Sequence, residues 1–148
     1  MAGSDEGLGD PFDLARFVDA QRGVHEGVLR ELRAGRKTGH WIWFEFPQVA
    51  GLGSSAMSQR YAIRSLDEAR AYLAHPVLGP RLREAATALL GVEGRTATGI
   101  LGDIDARKVR SSMTLFARAA PEDRTFAAVL DRYYGGAPDP LTDQVLGR

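Results

Sequence analysis

The 148-residue chain has no cysteine and no asparagine, and only two of its 19 basic residues, Lys37 and Lys108, are lysines. Without cysteine there is no disulfide framework, no thiolate nucleophile and no cysteine-ligated zinc or iron–sulfur centre, and a reducing compartment fits. Basic and acidic residues balance at 19 each, which lacks the one-sided field of a general nucleic-acid binder. The arginine bias reads as codon composition rather than as a binding surface.

No stretch approaches the roughly 18 uninterrupted apolar residues of a membrane span. Nor does the start resemble a secretory leader: Asp5, Glu6 and Asp10 stand among glycines where a basic and then an apolar region would be. The expectation is a cytoplasmic protein of one domain, long enough to bury a core without staples.

Hydrophobic spacing describes an all-α chain. Residues 1–9 read as a disordered tail, 10–136 as a single helical domain, and 137–148 as a C-terminal tail or a short final helix. Asp10-Pro11 has the form of a helix cap with proline in the first turn. Leu14, Phe17, Val18, Val24, Val28, Leu29 and Leu32 then keep mostly helical spacing as far as Gly35, although Gly23 and Gly27 weaken the middle and point to two helices.

Ser65-Leu66-Asp67-Glu68 forms a capping box, with Glu68 expected to reach back to the serine amide. His75-Pro76 interrupts the helix after it, and Leu78, Leu82, Ala85 and Leu89 carry the next stripe. Asp105 is expected to cap a helix bearing Val109, Met113 and Phe116, and a last stripe of Phe126, Val129, Leu130, Tyr133 and Tyr134 ends at Gly135-Gly136. Trp41 to Phe46 has the aromatic bias of a strand but no pairing partner, so it is read as helical, or as extended and packed on helices.

The informative segment is Gly39 to Gln48, with Gly51-Leu52-Gly53-Ser54-Ser55 after it. It holds both tryptophans, and its aromatics serve equally as core or as pocket wall, with His40 and Gln48 able to orient a ligand by hydrogen bonds. The glycine-rich run matches the dinucleotide-binding pattern only formally, because no strand–helix–strand unit surrounds it. A simpler anion nest from Gly53, Ser54 and Ser55 is the better reading.

Lys108, Ser111 and Ser112 share one helix face and suit a phosphate or carboxylate, or else the serines bond back to their own helix. A serine–lysine catalytic pair lacks an oxyanion hole. His25, His40 and His75 lie far apart with no helical ligand spacing, so no metal and no cofactor is expected. Two basic stretches, Arg30 to His40 and Arg107 to Arg110, are solvated faces, unless they meet at Trp41 or Trp43, where a nucleotide or sugar phosphate would find both ring and cation.

Several motifs carry a resemblance to a known family: Asp10-Pro11-Phe12-Asp13-Leu14, Gly39-His40-Trp41-Ile42-Trp43-Phe44, Phe46-Pro47-Gln48, Gly51-Leu52-Gly53, His75-Pro76, and Ser111-Ser112-Met113-Thr114-Leu115-Phe116 with Asp105 and Lys108. On these the chain resembles the bacterial family catalogued as domain of unknown function 1810, across about Asp10 to Gly136. The resemblance implies a small multihelical fold and no particular reaction. The calpastatin-like label sometimes attached to that family implies inhibitor repeats, and none is present.

Together these residues lead to a ligand site for a small anion of nucleotide or phosphosugar type. Trp41 and Trp43 would be walls, Gln48 would orient the ligand, and Gly53, Ser54, Ser55, Lys108, Ser111 and Ser112 would hold the anion. His40 and Asp105 are the candidate acid–base groups. The alternative is a non-enzymatic protein-interaction module that docks exposed tryptophans or the C-terminal tail, with no nucleic acid and no membrane as partner.

Overall fold

The computed structural model describes residues 9–148; the remainder of the expected N-terminal tail lies outside them. Among the described residues there are ten helices and no strand, joined by short turns. None is long and apolar enough to cross a membrane.

The chain begins α1 (Ala15–Gln21) and α2 (His25–Arg33), separated by a turn at Gly23. Asp10 does act as a cap, accepting from the Leu14 and Ala15 amides at 2.6 and 3.0 Å. The expected geometry differs: regular helix starts only at Ala15, so Pro11 stands ahead of it and not in its first turn.

The aromatic run folds as one helical turn, α3 (Ile42–Glu45). An isolated parallel bridge then pairs Val49 with Ile63, through Ala50 N–H to the Ile63 carbonyl and Ile63 N–H to the Gln48 carbonyl, both 2.8 Å. That bridge pins the two ends of a loop holding the glycine-rich run and α4 (Ala56–Arg60). Ser55 caps α4 by accepting from the Ser58 amide. Gly53 lies so close above this turn that a Cβ there would meet Ser58 Oγ at 2.6 Å, which is why glycine stands at that position.

Next come α5 (Leu66–Ala74) and α6 (Leu78–Leu90). The capping box forms in part. Ser65 accepts from the Glu68 amide at 3.0 Å, but Glu68 turns to the Arg64 amide and to Arg16 at 2.9 Å instead of the serine amide, because an arginine is the better partner for a buried carboxylate. At the expected break, His75 Nδ1 accepts from the Val77 and Leu78 amides and so caps α6. Gly79 lets the two helices close up: a Cβ there would fall 2.1 Å from the Leu73 carbonyl oxygen.

The second half holds α7 (Ala97–Leu101), α8 (Asp103–Ala119), α9 (Arg124–Tyr134) and α10 (Pro140–Val145). Helix α8 is the hub, touching α3, α5, α7, α9 and α10. Its residues Ser111 to Phe116 are all buried, as expected of a helix wrapped by others. Gly102, not Asp105, occupies the cap position of α8; Asp105 lies inside the first turn, where Lys37 holds it at 2.6 Å. The C-terminal residues carry the short helix α10. Asp139 caps it, and Arg118 ties Asp143 to α8 through two 2.8 Å contacts.

Candidate functional site

Two adjoining cavities, each of about 260 Å³, open on either side of the glycine-rich loop. Gln48, Leu52, Gly53 and Ser58 line both. Trp43 and Arg64 complete the first, and Arg107, Lys108, Arg110, Ser111 and Asp139 of the α8 side help close the second. The loop fits into this position because the Val49–Ile63 bridge fixes its ends against the aromatic helix.

Lys108 is the focus of the cleft. Its Nζ sits 4.8 Å from the Trp43 ring centroid, a cation–π arrangement, with the side chain 22% exposed. Its nearest carboxylate is Asp105 at 4.0 Å, and that group is already bound to Lys37 at 2.6 Å. Two lysines thus share one anion and the cleft-side one is under-neutralised. The Trp43 indole N–H is buried without a hydrogen-bond partner.

The structure separates the other residues singled out from the sequence. Trp41 is core: it is 3% exposed and its indole N–H donates to Glu31 at 3.0 Å. Burial alone would raise the Glu31 pKa, but the Gly39 and Thr38 amides and the Trp41 indole hold it below its ordinary value. Ser112 is fully buried with no partner for its hydroxyl, and lies in the core instead of the cleft. Ser111 lines the cleft, within hydrogen-bond reach of the Arg107 carbonyl at 3.2 Å and Asp139 at 2.9 Å.

Ser54 and Ser55 are exposed and do not line the cavities; one offers its carbonyl to Gln59 and the other caps α4. His40 is exposed and stands outside both linings. Gln48 and Gly53 line both cavities. Ser58, Arg64 and Asp139 were missed, because each joins the cleft only through loop closure or helix packing.

A second polar cluster was also missed. His25 is 5% exposed, with Nδ1 2.9 Å from Glu45 and Nε2 3.1 Å from Glu84. Both ring nitrogens donate to carboxylates only if the imidazole is doubly protonated. Burial opposes that charge, yet the hydrogen bonds and charges of Glu45 and Glu84 raise the His25 pKa above its ordinary value. A signal existed: Val28, Leu29 and Leu32 follow His25 at i+3, i+4 and i+7, placing it on the buried face of α2. Among the described residues no group of histidine and acidic side chains is arranged to hold a metal ion.

Comparison with known proteins adds the lineage. A family model described as a protein of unknown function, DUF1810, matches residues 11–146. The chain belongs to the DUF1810 family. A solved structure, the conserved hypothetical protein Rv1873 from Mycobacterium tuberculosis, is 54% identical, with a TM-score of 0.92 over 94% of this chain and 99% of that one. Comparison with curated proteins gives no match. Membership in DUF1810 therefore supports the all-helical fold and carries no activity with it.

Proposed function

We propose that this DUF1810 chain binds a small anionic ligand, of nucleotide or phosphosugar type, in the cleft between the glycine-rich loop and α8. The observation that carries the reading is Lys108: an ammonium held against an indole, sharing one carboxylate with Lys37, and open to a cavity. A half-desolvated cation without its own counter-ion is a place where an anion gains more than it does in water. Arg107 and Arg110 line the same cavity and extend the positive wall.

The reading is one of binding. Of the two acid–base candidates, Asp105 is committed to Lys37 and His40 lies outside the cavity linings. The direct test is a thermal-shift and calorimetric screen of inorganic phosphate, sugar phosphates, nucleotides and ADP-ribose-like compounds. A ligand at 100 times its Kd raises stability by about 2.7 kcal/mol. That gain should vanish in Lys108→Met; a ligand bound equally by the variant would overturn the reading.

A second reading, a protein-interaction surface, draws on the exposed side chains Ile104, Leu141 and Val145. The tryptophan version of that module loses support, since Trp41 is core and Trp43 is half-buried. Val145 distinguishes the readings because it lies outside the cleft: Val145→Ser weakens a protein contact on α10 and leaves a cleft ligand unaffected.

A further inference from the structure

We infer that the anion taken by this cleft carries an apolar group beside its charge, as in an alkyl or acyl phosphate, and is not a bare or polyol phosphate; the inference rests on the anionic reading of the site. Three large hydrophobic side chains are strongly exposed among the described residues: Ile104 at 65%, Leu141 at 60% and Val145 at 50%. Two of them, Ile104 and Leu141, line the same cavity as Arg107, Lys108 and Arg110. Scattered exposed hydrophobics are ordinary, but a pair meeting at the mouth of a cationic cavity is a specific juxtaposition.

The pair is held in place by built contacts. Ile104 is in the first turn of α8, fixed by the Ala106 carbonyl accepting from Tyr134 Oη at 2.6 Å. Leu141 is carried by α10, whose approach is set by Arg110 donating to the Ala137 and Pro138 carbonyls at 3.0 and 2.9 Å. The Arg110 guanidinium thus spends two N–H groups on the backbone while its charge stays in the cavity wall. Lys108 lies over the Trp43 ring. A ligand's charged end therefore meets that lysine, and its neutral end is left to Ile104 and Leu141. Polyol hydroxyls set against those two side chains would lose water to a surface that offers no hydrogen bond, whereas methylenes lose only water.

The test compares affinities, by calorimetric titration of the full chain, for inorganic phosphate, glucose 6-phosphate and methyl, butyl and hexyl phosphate. Affinity should rise with chain length by up to about fourfold per methylene while the chain is being covered. The hexyl-to-methyl ratio should collapse in Ile104→Ser/Leu141→Ser, a change of two exposed residues, and should persist in Val145→Ser. Binding of phosphate or glucose 6-phosphate with no chain-length dependence overturns this inference and leaves the anionic site standing. A chain-length dependence that survives the double variant also overturns it, since the apolar group then lies elsewhere. If no phosphate of any kind binds, both the inference and the reading beneath it fail.

Discussion

The His25 cluster and the Lys108 cleft are both groups of charge where helices meet, yet they are built on opposite principles. At His25, one imidazole faces two carboxylates from α3 and α6, and hydrogen bonds join the three elements α2, α3 and α6. At Lys108, two ammonium groups share one carboxylate and the surplus cation faces a cavity. The first arrangement spends its charge inside the fold. The second leaves charge unspent where a solute can reach it, and the contrast separates architecture from a candidate site more sharply than burial alone, since Lys108 is itself mostly buried.

If that division is right, the largest effect belongs to His25. Replacing it as His25→Leu leaves Glu45 buried and facing a hydrocarbon, and breaking a buried pair by removing one partner costs about 3–5 kcal/mol. Urea unfolding should show a lower midpoint with an unchanged slope. A loss below about 1 kcal/mol would mean that the cluster is well solvated and the contrast false.

Next in size is the pH response of the same group. His25 has a raised folded pKa, so its contribution is fully present below its ordinary value of 6.5 and is lost as pH rises through the higher folded value. Wild type should therefore lose stability relative to His25→Gln, which has nothing to titrate there, as pH rises from 6.5 through the higher folded pKa.

How much of this was legible beforehand depended on whether the signal was local. The helical stripes were local, and so were the His75 break and the Gly135 stop, because capping and periodicity act within one or two turns. Trp41 and Trp43 were not separable: they stand two residues apart on one short turn, and only the arrival of α8 with Lys108 makes one a cleft wall while Glu31 claims the other. Asp105 misled for a related reason. An acidic residue near a helix start scores as a cap, but the long-range attraction of Lys37 decides its orientation and Gly102 takes the cap position. Ile104 and Leu141 carry no local mark at all, since their meeting is made by Arg110 and Tyr134 across three helices.

A smaller effect tests how firmly the cleft's outer wall is held. Asp143 has a pKa below its ordinary value, chiefly through its hydrogen bonds to Arg118, against some burial. Asp143→Asn should weaken the α10–α8 contact by about 0.5–1 kcal/mol, as for a partly exposed ion pair. Hydrogen exchange should quicken in Pro140–Val145 while α2 and α6 stay protected. Faster exchange throughout would show that α10 is part of the main cooperative unit instead of an attached wall.

The smallest change is expected where the functional proposal is strongest. Lys108→Met removes an under-neutralised cation and keeps much of the side-chain volume over Trp43, while Asp105 retains its 2.6 Å partner Lys37. What is lost in cation–π attraction, about 0.5–1 kcal/mol, is offset by methionine's own contact with the ring and by the relief of crowding two cations on one carboxylate. Stability should stay within about 0.5 kcal/mol of wild type, measured by urea unfolding at one pH. A near-silent result here beside a large loss at His25 is what a binding lysine on a finished scaffold predicts, because a residue kept for a solute need not support the fold. A loss comparable to that of His25→Leu would instead make Lys108 a strut, and its charge would then be accounted for without any ligand.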